Sequence, residues 1–165
     1  MADLKLKYAA SASITFTSLA SLASSTTLVA GAESAAIDNG TTLYDDIYIG
    51  ITLKMGTAAC TASKSLEVWI IPALDDTPTW PDVMDGTDSA ETVTSRNLLY
   101  GYGKLAKIII TDTTASQIYT ATFSVLDSCG FVPDQFSLFV VQDSGQALAS
   151  SGSSAKMTGV HYQSV

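Results

Sequence analysis

Between Leu43 and Met55 the chain alternates side chains with a period of two: Ile47, Ile49, Ile51 and Leu53 fall on one face, Tyr48, Thr52 and Lys54 on the other. An extended backbone turns successive side chains to opposite faces, so this is the pattern of a half-buried strand. It returns in LKLKY with Leu4, Leu6 and Tyr8, in SITFT at 13–17, and in the segments 103–113, 117–125 and 135–145. The final AKMTGVHYQSV reads as a last strand, and a weaker one is expected at Thr26 to Ala30. Within KSLEVWIIPAL, residues 64–74, Leu66, Val68 and Ile70 oppose Glu67, Trp69 and Ile71. Apolar side chains on both faces predict a central strand. Asn39-Gly40 suits a turn, and Gly50 in mid-strand predicts a bulge or bend.

No stretch carries the 3.6-residue apolar stripe of a long amphipathic helix. Six to nine strands punctuated by turn residues predict an all-β fold, an antiparallel β-sandwich. Irregular long loops in place of uniform tight hairpins favour a jelly-roll-like version of it, with an extended N-terminal arm. Residues 1–12 are expected to form that arm or an edge strand, and 13–165 a single sandwich domain.

Charge narrows the function classes. Eight Lys and Arg face sixteen Asp and Glu, the net charge is −8, and Arg96 is the only arginine. A nucleic-acid partner is not expected, because phosphate neutralisation needs clustered Lys and Arg. No membrane partner is expected either, since Ser, Thr, Gly and Asp interrupt every apolar run before it reaches a spanning length. Ser11, Ser13, Thr15, Thr17 and Ser18 likewise break the N-terminal apolar run, so no cleaved secretory signal is expected. Cys60 and Cys129 lie in no metal-ligand spacing; two unlinked buried thiols are expected, with one disulfide as the alternative.

The most unusual segment is DDTPTWPDVMDGTDSAET, residues 75–92, with six acidic side chains, two prolines and Trp80. Asp82, Asp85, Gly86 and Asp88 come near a calcium loop, but the spacing fails the EF-hand register; another kind of calcium site is the alternative. No cofactor is expected, as YGYGK at 100–104 lacks the third glycine and the following helix of a dinucleotide fingerprint and reads as a turn or strand edge. His161 has no nucleophile elbow to serve, and Asp45, Asp46, Glu67, Asp75 and Asp76 read as turn acids before they read as a glycosidase pair. Prolines stiffen the 75–92 loop, and an ordered loop carrying a tryptophan suits a protein contact; the opposing reading folds Trp80 back over its own sandwich.

The runs VAGAESAAIDNGTTLYDD, EVWIIPALDDTPTWPDVMDGTDSAET, FSLFVVQDSGQAL and GVHYQSV together resemble a family of small virion structural proteins of tailed bacteriophages. The likeness runs from about Val29 to Val165, and the proline–aromatic–proline loop with DGTDSAE is its most specific part. It implies a non-enzymatic protein similar to capsid decoration or cement proteins, made in the host cytoplasm and bound to the capsid exterior. Its expected partners are the major capsid protein and further copies of itself, as a homodimer or homotrimer. Leu4, Leu6 and Tyr8 on the arm and Trp80, Val83 and Met84 in the loop are the candidate contact residues. The alternative is a tail- or fibre-associated sandwich that binds host-surface carbohydrate through Trp80, Trp69 and the loop acids.

Overall fold

The computed structural model describes residues 3–164. Two antiparallel sheets face one another, and the all-β sandwich expected from the alternation is what forms. The strands are β1 (Leu4–Tyr8), β2 (Ala12–Ile14), β3 (Ala30–Glu33), β4 (Ile37–Asp38), β5 (Asp46–Lys54), β6 (Ser65–Pro72), β7 (Ser89–Thr92), β8 (Lys104–Ile110), β9 (Ile118–Ser124), β10 (Gln135–Gln142) and β11 (Ser154–Ser164). Two short helices, α1 (Arg96–Tyr102) and α2 (Val125–Cys129), interrupt them. The first sheet runs β1-β11-β5-β9, with β2 also on β11; the second runs β7-β3-β10-β6-β8, with β4 on β10.

The faces fall where the period of two puts them. Ile47, Ile49, Ile51 and Leu53 of β5 meet Leu66, Val68 and Ile70 of β6 and Phe136, Leu138 and Val140 of β10 in the core between the sheets. β6 is central, flanked by β10 and β8, and its residues from Leu66 to Ile71 are all buried. Within the segment expected as an arm or edge strand, β1 lies at the edge of the first sheet, pairing with β11 from Leu4↔Ser164 to Tyr8↔Val160.

Three local expectations are corrected. Thr26 to Leu28 form a turn, and the strand starts at Ala30, because the register that buries Ala32 against Val140 begins only there. Gly50 makes no bulge; it pairs in unbroken register with Lys156 and Thr122, and the irregularity lies between β6 and β8 at Val68/Trp69. YGYGK is no strand edge: Tyr100 to Tyr102 close α1, and Gly103 caps it by donating its N–H to Leu99 O at 2.8 Å. Seven residues are too few for a visible helical stripe, which explains why the periodicity passed over α1.

Candidate functional site

The outer face of the second sheet is apolar. Trp69 and Ile71 of β6 and Phe139 and Val141 of β10 project away from the main core and are at most 1% exposed. The long β6-to-β8 connection covers them, contributing Met84, Val93 and Leu99 to a second core, with Trp80 and Tyr102 packed at its margin. Close approach is possible here because β3 offers Gly31, where a Cβ would stand 2.6 Å from the Phe139 ring. Trp80 lies on Gly86 in the same way: Gly86 has φ +72°, and a Cβ there would sit 2.6 Å from Trp80 Cζ2. The glycine serves both the left-handed turn and the ring's approach.

Three acids of this connection, Asp75, Asp82 and Asp88, hold it in shape. Asp75 accepts from Thr79 N–H at 2.8 Å and Thr79 Oγ1 at 2.9 Å, closing its own turn. Those two bonds hold its carboxyl below the usual aspartate range. Asp82 accepts from Thr94 N–H at 2.8 Å, Thr94 Oγ1 at 2.6 Å and Tyr102 Oη at 3.3 Å, tying the loop to α1 and the residues before it. Asp88 accepts from Thr17 N–H and Oγ1, both at 2.6 Å, and from Ser18 N–H at 2.9 Å. For Asp82 and Asp88 desolvation pushes upward, but the hydrogen bonds outweigh it and the pKa falls. From the sheet side, buried Glu33 accepts from Asp85 N–H at 3.2 Å, Gly86 N–H at 3.0 Å and Ser137 Oγ at 2.7 Å. Burial outweighs these bonds, so its carboxyl is raised above the ordinary glutamate value. Among the described residues no group of three or more His, Cys, Asp or Glu side chains converges in the manner of a metal site.

The candidate contact residues therefore separate. Met84 is 4% exposed inside the second core, and Trp80 is half-buried against Gly86, so the loop residues expected at a partner contact are largely committed to the chain itself; only Val83 remains at the surface. Trp69, invoked for carbohydrate stacking, is 1% exposed, and its Nε1–H donates to Glu67 Oε2 at 3.1 Å. Leu4, Leu6 and Tyr8 are all exposed, Leu4 to 70%. Beyond Val160, β11 leaves β5 and pairs with β1 alone, so the two form a ribbon running past the end of the sheet. Leu6 stands directly opposite Tyr162, and Tyr8 lies 6.4 Å from Tyr48, ring to ring.

Tyr48 and Tyr162 are the residues that sequence reading missed. Their signal is present in the sequence: the period of two puts Tyr48 on the polar face of its strand, and Tyr162 alternates in VHYQS. Which strands lie side by side is a property of topology, and only pairing puts them beside Leu6 and Tyr8. The reverse face of the ribbon carries Lys5 and Lys7, with His161 opposite Lys7 and its ring 5.9 Å from Tyr44. No helix of the described residues is long and apolar enough to cross a membrane. No protein-family model matches the chain, and no curated protein matches it.

Proposed function

We propose that the chain is a non-enzymatic virion structural protein, a decoration or cement subunit that binds the outer capsid surface and stabilises contacts between capsomers. The observation that carries this reading is the ribbon face of Leu4, Leu6, Tyr8, Tyr48 and Tyr162, five exposed large side chains brought together from three strands of an otherwise acidic protein. A contiguous apolar face of this kind marks a contact surface, whereas single exposed apolar residues do not. Burying one such side chain fully contributes about 1.5–3 kcal/mol before the cost of association, so several together can hold a subunit on a shell. The major capsid protein is the partner and no turnover is involved. The sequence resemblance supports the assignment to a virion; the ribbon supports attachment through β1 and β11 rather than through the 75–92 loop.

The test is uptake of purified protein by capsids assembled without it. Saturable binding at repeated positions, lost in Leu6→Asp and Tyr162→Asp, is the expected result. Absence of uptake, or equal uptake by both variants, would overturn the reading.

A further inference from the structure

Sheet edges are where one chain adds to another, and natural proteins guard them with charge, proline, bulges or brevity. Among the described residues β2 and β4 also have a free side but span only three and two residues, and of the four strands that end the two main strand orders three are guarded. β1 carries Lys5 and Lys7, and every antiparallel two-fold pairing of β1 with its own copy that joins three or more residues sets lysine against lysine. β7 spans only four residues and includes Glu91. β8 carries Lys104 and Lys107 and is broken by the irregularity opposite Val68/Trp69. The fourth edge, β9, is different: IYTATFS is seven residues long, without charge, proline or register break.

The phase of β9 fixes what its free side offers. Met55 N–H donates to Gln117 O at 2.8 Å, so Gln117 faces β5. Backbone groups alternate sides along a strand, and Tyr119, Ala121 and Phe123 therefore face β5 as well. Ile118, Thr120 and Thr122 turn their N–H and C=O groups outward, and all three side chains are exposed. At the end of the strand the free side closes, because Ser128 Oγ donates to Ser124 O at 2.7 Å.

We infer that β9 is a self-association edge: two copies pair β9 with β9, antiparallel, about a two-fold axis at Thr120, joining their first sheets into one. In this register Thr120 faces Thr120 of the second copy and Ile118 faces its Thr122, so every outward backbone group of the three residues finds a partner. The facing side chains are neutral and suited to strands, and threonine pairs stabilise such ladders. A second copy is the occupant because this register is self-complementary and no charge opposes it. The contact covers less than the roughly 800 Å² per partner of a standard stable interface, so the dimer forms at high local concentration, as on a repeating surface. Two chains of net charge −8 repel, and salt strengthens the pairing by screening.

This inference refines the self-association implied by the virion reading, yet it is tested in solution without capsids, so the two can fail separately. Sedimentation velocity over a concentration series is expected to show a monomer–dimer equilibrium that tightens with salt. Thr120→Lys and Thr122→Lys, at exposed positions, should abolish the dimer with the circular dichroism spectrum unchanged, while Leu6→Asp should retain it. Hydrogen exchange should show amide protection at Ile118, Thr120 and Thr122 rising with concentration. A monomer at every concentration, a dimer unaffected by both lysine variants, or a dimer whose β9 amides stay unprotected would each overturn the inference.

Discussion

Arg96 Nη2 lies 2.7 Å from Glu67 Oε1 and 2.8 Å from Oε2, so the chain's only arginine fastens the start of α1 to the centre of the second sheet. The guanidinium carbon also sits 5.8 Å from the Trp69 ring centroid and 5.2 Å from that of Tyr100, adding cation–π contact to the ion pair. Glu67 is only 4% exposed, and without Arg96 its charge would have no cation beside it. Arg96→Met should therefore destabilise the protein by about 2–4 kcal/mol in urea unfolding. Arg96→Lys should recover only part of this, because an ammonium lacks both the flat guanidinium that lies against the Trp69 and Tyr100 rings and the second nitrogen that donates to Leu28 O.

Asp88 in the connection and Glu33 in the sheet beneath it give stability two opposing pH dependences. Asp88 has a native pKa below the free value of 3.8, so its contribution is complete above that value and is lost as pH falls through the native pKa. Glu33 has a native pKa above 4.5, so its contribution is complete below that value and is lost as pH rises through the native pKa. Melting temperature measured from pH 3 to pH 7 should thus lose part of its acid-side fall in Asp88→Asn. Glu33→Gln should remove a decline on the rising side. Unchanged profiles in both variants would show that these carboxyls do not hold the connection in place.

Glycines at two strand positions should respond with opposite sign. At Gly50 a Cβ would meet only Thr122 Cγ2, at 4.0 Å, so Gly50→Ala should stabilise by about 0.5–1 kcal/mol through the unfolded chain's lost freedom. At Gly31 the added carbon would stand 2.5 Å from Val140 O as well as against the Phe139 ring, and Gly31→Ala should destabilise by about 1–3 kcal/mol. Paired urea denaturation curves check both.

Cys60 and Cys129 are unlinked, as expected over the disulfide alternative, but only Cys60 is buried; Cys129 is half-buried. Burial pushes the Cys129 thiol up to about 11, with Lys104 pulling weakly the other way, and burial raises Cys60 too. Neither should react with iodoacetamide at neutral pH in the folded protein, since the thiolate is the nucleophile. Mass spectrometry should find both alkylated only after denaturation.

Strand periodicity made the sandwich legible: β5, β6 and β10 lie within a few residues of their expected positions, with the expected faces inward. Trp69 and Ile71 also announced that the second sheet has two apolar faces. What covers the outer one was not legible, because the covering residues are scattered among prolines, acids and a helix shorter than the pattern can show. For the same reason the 75–92 loop read as a contact element: its acids look solvated in the sequence, whereas Asp88 bonds to Thr17 and Glu33 receives Gly86, contacts far apart in the chain. The exposed ribbon was half legible, with β1 visible as an alternating strand and its partner visible only through pairing.

The pairing of Leu4 with Ser164 has a mechanical meaning. A pull applied between these two residues separates β1 from β11 at their shared end, breaking the ladder one pair at a time, whereas a load carried along the strands would strain all its pairs together. A load directed along the ribbon meets the fold in its strong direction; a pull between its two ends peels it open.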